Sequence, residues 1–272
     1  MAESESMMFN SEKLITSTSN PLLKLARSLG NRKNRDDSKL FLVEGIHNVG
    51  AAIEAGWNIH SILYSPDLIN STFASQLIEG QRPAGNCYSI SPQLFDTIAE
   101  KDNPQGLLAI VHKRDIQLDS IDPLQFQWCV AAISPQDPGN VGTILRTIDS
   151  SGADGLFILD GGVDPYHPAG VRASMGSFFF KPLINASFNV FIQWAATHTF
   201  TLVGTSAHAD QDYHVLSDLP RPVILLLGNE QKGMSPGQMQ VCDLVVSLPM
   251  HGHASSLNLS VAAGILLYAM LK

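Results

Sequence analysis

The chain has 272 residues, enough for two packed domains, with 44% hydrophobic residues and a formal net charge of −8. Up to Leu118 it holds 11 Lys and Arg against 13 Asp and Glu, and from Asp119 on 6 against 12; so acidic a carboxy-terminal part excludes indiscriminate adhesion to nucleic acid and leaves room only for a local basic patch. Cys87, Cys129 and Cys242 are scattered, as reduced core residues of a cytoplasmic protein would be, and no run of about 18 apolar residues is free of polar interruption, which excludes a disulfide framework and a membrane span.

The opening MAESESMMFN is acidic and lacks the basic start of a targeting peptide, so residues 1–12 read as a frayed tail. Asn20-Pro21 followed by LLKLARSLG predicts a helix, with Asn20 as cap, Pro21 at its first position and Gly30 as stop. The next segment, NRKNRDDSKL, holds Arg32, Lys33, Arg35 and Lys39. With Lys24 and Arg27 it is the densest basic stretch of the chain, either a solvated surface or a phosphate-contacting patch. From Phe41 strands and helices alternate. FLVEG, IHSILYS, CYSI and GLLAIVH read as strands, and His47–Ala55, Pro66–Ile78 and Pro92–Glu100 as helices between them. This predicts a small α/β domain over residues 13–113, followed by a polar connection over 114–126.

A second domain over 127–272 opens with the strand QWCVAAI and breaks at SPQDPGNVG, whose prolines and glycines make a loop before a helix that runs to Gly152. Arg146 is expected about one and a half turns into that helix. GLFILD reads as a strand, VDPYHPAGVRASMGS as a polar loop with a short helix, and FNVFIQWAATH as a helix. FTLVGTSA, PVILLLGNEQKGMS and DLVVSLP each read as a strand running into a loop. Near-continuous apolar strands predict a parallel sheet covered on both faces, and ligands on such sheets lie beyond the strands' carboxyl ends. In LPMHGHASSLNLSVAAGILLYAMLK a loop gives way to a terminal helix from about Leu257, with Ser255 or Ser256 as the expected cap and Val261, Ile265, Tyr268 and Ala269 on one side.

Several chemistries are set aside by spacing. GNEQKGMS has Lys before Gly, the reverse of a triphosphate-cradling loop, and no GxGxxG follows a strand. His208, His214, His251 and His253 have no cysteine partner at chelating distance in sequence, so no metal is expected. What remains is a set of loops rich in backbone groups, hydroxyls and amides, with Arg146 and Glu230 placed conspicuously.

Three stretches resemble the signature motifs of the SpoU/TrmH family of RNA 2′-O-ribose methyltransferases, part of the SPOUT superfamily. They are Asn140-x-Gly142-x-x-x-Arg146; Leu227-Gly228-x-Glu230-x-x-Gly233; and Pro249-Met250-x-Gly252 followed by Ser256-Leu257-Asn258-x-Ser260. The resemblance covers about Trp128 to Lys272, and the amino-terminal part is similar to the small RNA substrate-binding domain of many members. It implies an α/β fold with a parallel-sheet SPOUT domain closed by a trefoil knot, a homodimer, and S-adenosylmethionine as cofactor. Gly228, Leu248 and Leu257 would be its firmest contacts, with Met250 as a further apolar wall and Thr205 a backbone partner. Arg146 would be the catalytic arginine and Asn140 would orient the substrate. Ser256 and Asn258 would position it or relay the proton, and Glu230 would anchor either Arg146 or its own loop. RNA contacts are expected from Arg27, Arg32, Lys33 and Arg35. Ribosomal RNA is favoured over transfer RNA; a non-catalytic RNA-binding module is the rival reading.

Overall fold

The computed structural model describes residues 13–100 and 104–271, so the amino-terminal segment 1–12, read above as a tail, lies outside the described residues. Two compact units divide the chain: residues up to Gly50 with Asn58–His112, and Ala51–Trp57 with Lys113–Lys272.

The first unit carries β1 (Lys13–Ile15), α1 (Pro21–Ser28), α2 (Arg32–Ser38), β2 (Leu40–Glu44), the start of α3 (Ile46–Glu54), β3 (Ile59–Tyr64), α4 (Thr72–Gln81), β4 (Cys87–Ile90), α5 (Pro92–Asp96) and β5 (Leu107–His112). Its sheet has the order β1-β4-β3-β5-β2 and is mixed: β1, β4 and β3 are parallel, whereas β5 runs antiparallel to β3 and β2. Asn20 caps α1 through its side chain, which accepts from Leu22 N–H at 2.8 Å. The α1 face Leu23, Ala26 and Leu29 is buried with Leu63, Ile90, Phe95 and Ile110 in one core. NRKNRDDS is a helix, α2, and its charges do not all face water. Arg35 is 1% exposed, and its guanidinium donates to Leu29 O at 2.7 Å and Gly30 O at 3.0 Å. It satisfies carbonyls left open at the end of α1, which corrects its assignment to an RNA-contacting surface. Arg27, Arg32 and Lys33 are exposed.

The second unit carries β6 (Trp128–Ile133), α6 (Pro138–Ser151), β7 (Gly155–Leu159), α7 (Pro168–Ala173), β8 (Leu183–Ala186), α8 (Phe188–Thr197), β9 (Thr201–Thr205), β10 (Gln211–Asp212), β11 (Val223–Leu227), α9 (Pro236–Gln240), β12 (Leu244–Ser247) and α10 (Leu259–Ala269). All seven strands are parallel, in the order β10-β12-β9-β11-β6-β7-β8. β6, β7 and β11 are buried along their whole length, as central strands of a doubly covered sheet must be. Residues 114–126, read as a connection, instead carry Leu118 and Ile121 into this unit's core.

The helix α6 begins at Pro138, with Asp137 as cap, and ends at Gly152 in the left-handed region at φ 80°. Arg146 is therefore about two turns inside it, deeper than the sequence suggested. Gly142 sits where α6 crosses α7: a Cβ there would lie 2.1 Å from Gly170 O, and one on Gly170 would lie 2.8 Å from Pro138 O. The two helices thus touch backbone to backbone, a contact open only to glycine.

The terminal helix also differs from expectation. Its cap is Asn258, which leaves Ser255 and Ser256 in the preceding loop. Its buried residues are Ala263, Leu266 and Leu267, whereas Val261, Ile265 and Tyr268 are exposed. Because nearly every position of α10 is apolar, periodicity could not say which face is inside.

Replacing Gly142 by Ala should gain the ordinary helix preference of Ala and lose far more to the clash with Gly170 O. A net fall of about 5 °C or more in the thermal midpoint is expected, corresponding to an overpacking cost of roughly 1–3 kcal/mol. An unchanged or raised midpoint in a thermal melt would show that α7 moves away freely.

Candidate active site

The four loops leaving the carboxyl ends of β6, β9, β11 and β12 converge. At the end of β11, Asn229 to Gly233 close into a turn in which Asn229 N–H donates to Gly233 O at 3.2 Å and Gly233 N–H to Asn229 O at 2.8 Å. Gly233 takes φ 64°, and a Cβ on Gly228 would lie 2.4 Å from Gly233 C. The turn folds so tightly on its own strand that position 228 has no room for a side chain. The Asn229 side chain accepts from Gln231 and Lys232 N–H at 3.0 and 3.1 Å and donates to Ser134 O at 2.8 Å, tying this turn to the loop after β6.

Glu230 extends that tie. Its carboxylate accepts from Gln136 N–H at 3.0 Å, from Asp137 N–H at 3.4 Å and from the Asn140 amide at 3.2 Å. The buried Asn140 in turn accepts from the Asn258 amide at 2.9 Å. Asn258 Oδ1 accepts from Ser260 N–H at 2.9 Å and Val261 N–H at 3.3 Å, opening α10. One chain of side-chain bonds therefore runs from the β11 turn through α6 to the start of α10. Glu230 does not anchor Arg146. Its partners are the neighbouring loop and Asn140, and the exposed Arg146 has no hydrogen bond or ion pair among the described residues.

Beside this network a cleft of about 480 Å³ opens between the loops after β9, β11 and β12, within the range of roughly 300–1,000 Å³ that suits a drug-sized ligand. Thr205, Gly228, Leu248, Met250 and Leu257 all line it, as do Glu230 and Ser256. Asn140, Arg146 and Asn258 lie outside its wall and reach it only through bonded neighbours or through α6. Val246, Met234 and Leu266 add apolar wall, and Ser206, His208 and Lys232 add polar edge. The sequence offered no signal for Met234: its thioether accepts from Thr205 N–H at 3.3 Å, a contact between residues 29 apart. Arg27, Arg32 and Lys33 belong to the first unit and take no part here.

No nucleophilic thiol competes for the chemistry. Burial, reinforced by Asp243, pushes the Cys242 thiol up to about 11, and burial likewise raises Cys129 and Cys87. All three cysteines are free. Among the described residues no cluster of three His, Cys, Asp or Glu side chains could hold a metal.

If the Asn140–Asn258 bond is what couples α6 to α10, the single Ala variants and the double variant should be non-additive. A coupling free energy of about 0.5–3 kcal/mol is expected from denaturant unfolding. Additivity within error would mean the two amides are held independently.

Against known proteins, the SpoU rRNA Methylase family matches residues 127–268 and the MRM3-like substrate binding domain matches residues 20–109. The chain is 35% identical to the 23S rRNA (uridine(2479)-2′-O)-methyltransferase of Streptomyces viridochromogenes, over 90% of this chain and 86% of that protein. It is 28% identical to the 23S rRNA (guanosine(2553)-2′-O)-methyltransferase RlmP of Bacillus subtilis, over 94% and 98%. The AdoMet-bound rRNA methyltransferase of Sinorhizobium meliloti superposes with a TM-score of 0.86 at 34% identity, covering 95% of this chain and 97% of that one. With more than half its length matched by one family and a full-length relative above 30% identity, the chain belongs to the SpoU rRNA methylase family.

Proposed function

We propose that this chain transfers a methyl group from S-adenosylmethionine to a ribose 2′-hydroxyl of ribosomal RNA. The observation that carries the reading is the cleft of about 480 Å³ walled by Leu248, Met250 and Leu257, set beside the Glu230–Asn140–Asn258 network at the base of the Arg146 helix. Both 23S rRNA relatives are named for 2′-O-methylation, and the Sinorhizobium neighbour was solved with AdoMet, which supports substrate and cofactor alike. The cleft fits that cofactor by the chemistry of its lining: apolar side chains for a flat base, and backbone polar groups at Thr205 and Gly228 for its edges.

When bound, the cofactor supplies an electrophilic methyl on a sulfonium. The chain's own residues must then hold the ribose and stabilise charge on its 2′-oxygen as the hydroxyl proton leaves. Arg146 suits that task, since a guanidinium stays protonated and is a poor base, and this one is exposed with no competing carboxylate bonded to it. We assign it as cation and donor toward the 2′-oxygen or the neighbouring phosphate. Asn140, Asn258 and Glu230 act as positioning residues that fix α6 and α10 relative to the cleft, and Ser256, on the cleft wall, orients the ribose. Arg27, Arg32 and Lys33 are assigned to RNA backbone contacts, Arg32 with its guanidinium 3.7 Å from Asp36 in a surface pair that an RNA phosphate can displace.

We read the segments after β11 and β12 as the crossing turns of the family's trefoil knot. Support comes from the strand order, in which β12 flanks β9 on the side away from β11, while α10, which follows β12, packs on α6, which follows β6. A homodimer is part of the same reading. Val261, Ile265 and Tyr268 form an apolar stripe along α10 that is 38–54% exposed in one chain, and a second copy would cover it. No helix among the described residues is long and apolar enough to cross a membrane; a cytoplasmic location is part of the same reading, and a ribosomal RNA substrate supports it.

Arg146→Ala should retain S-adenosylmethionine affinity in a calorimetric titration while methylation falls by about 100-fold or more, the scale of losing one charge-stabilising group. Normal turnover by that variant would remove Arg146 from its role. Ile265→Glu should convert a dimer to a monomer in sedimentation; a wild-type monomer would overturn the dimer, and a dimer untouched by the change would place the contact elsewhere.

A further inference from the structure

A second cleft, of about 130 Å³, lies in the second unit away from the cofactor cleft, lined by Trp57, Arg114, Tyr166, Phe180 and Lys181 among others. Most of its aromatic wall is fixed. The Trp57 indole donates to Phe179 O at 2.9 Å, its ring lies edge-on to Phe179, and the Arg114 guanidinium sits 4.3 Å from its centroid. The Tyr166 hydroxyl donates to Arg114 O, and its ring meets Phe178 edge to face at 5.4 Å. Phe180 is different. It is 47% exposed and has no aromatic or cationic partner among the described residues, although the two rings just before it, Phe178 and Phe179, are buried. Lys113, Arg114 and Lys181 gather three cations here, with Asp149 3.6 Å from Lys181, Asp115 and Asp164 near Tyr166, and the Arg114 guanidinium also donating to Gly56 O at 2.8 Å.

The position along α6 gives the cleft a meaning. Asp149 lies three residues beyond Arg146 and so on the same helix face. Asp149 holds both Lys181 and Ser177, the latter by a 2.9 Å hydrogen bond from its hydroxyl. The turn Ser177–Phe179 packs on α6, and Phe180 follows it directly. An RNA strand whose target ribose lies at Arg146 and which continues along α6 therefore meets Lys181 and then the free face of Phe180. A flat exposed ring beside cations is the arrangement that stacks an unpaired base while its phosphate is held.

We propose that this cleft seats one unpaired base of the RNA substrate, a neighbour of the target nucleotide, stacked on Phe180 with its phosphate held by Lys181 and Arg114. The proposal rests on the methyltransferase reading above. Stacking on an aromatic ring contributes about 1–3 kcal/mol per base, so losing it should raise the KM for RNA by about 5- to 150-fold.

The test uses the full chain, labelled S-adenosylmethionine, and ribosomal RNA from cells of the source organism that lack this gene. Phe180→Ala and Phe180→Leu should both raise the KM for RNA at least fivefold, Phe180→Tyr should keep it near wild type, and S-adenosylmethionine affinity should be the same in all four proteins. Because Phe180 is half exposed, matching thermal midpoints are expected and are measured alongside. A Leu variant as good as wild type, or an Ala variant with unchanged KM, overturns the subsite and leaves the methyltransferase reading standing. A wild-type protein that labels no RNA overturns that reading, and the subsite falls with it.

Discussion

One carboxylate holds the arrangement together. Glu230 leaves the end of a fully buried strand and accepts hydrogen bonds from two backbone N–H groups of a different loop and from the amide of Asn140. Asn140 then carries the connection to Asn258 and the start of α10. Hydrogen bonds to a charged acceptor are the strong ones, and a partly buried carboxylate left without them would be costly. The turn after β11, the loop after β6 and the start of α10 are thereby set by one another, not by their own sequences alone. This explains why the cleft can be built almost entirely from loops and still have a defined shape.

The sheet and the helices divide the work. β6, β7 and β11 are buried on both faces and give the unit its rigid floor. The glycines at 142 and 170 let α6 and α7 approach at backbone distance, which fixes the direction in which α6 carries Arg146. Arg146 itself stays exposed and unpaired among the described residues. A guanidinium already satisfied by a neighbouring carboxylate would have little left to offer a developing alkoxide. Glu230 is occupied with the loop and Asn140 rather than with Arg146, which is what the role proposed for Arg146 requires.

Much of this was legible in the residues. The central strands are near-continuous apolar runs, and the loops after them are marked by Gly, Pro and Asn. Capping by Asn20 and the stop at Gly152 follow from local chemistry. What escaped was decided by tertiary contact. β1, β8 and β10 are short and partly exposed, so no alternation marks them. α10 is apolar nearly all round, and its inner face is Ala263, Leu266 and Leu267 on a helix that packs on α6, a fact no period encodes. Arg35 stands in a charge run that looks solvated, yet its guanidinium serves two carbonyls at the end of the preceding helix. In the same way, the partner of Glu230 could not be chosen from sequence, since its bonds span 90 to 94 residues.

The central claim is that the loops of β9, β11 and β12 hold a methyl donor beside a ribose presented on the Arg146 face of α6. The most direct measurement is to incubate the protein with isotope-labelled S-adenosylmethionine and unmodified ribosomal RNA, digest the RNA, and locate the label by nucleoside mass spectrometry. The account predicts label on a ribose 2′-oxygen at a single position; label on a base, or none in the RNA, would contradict it.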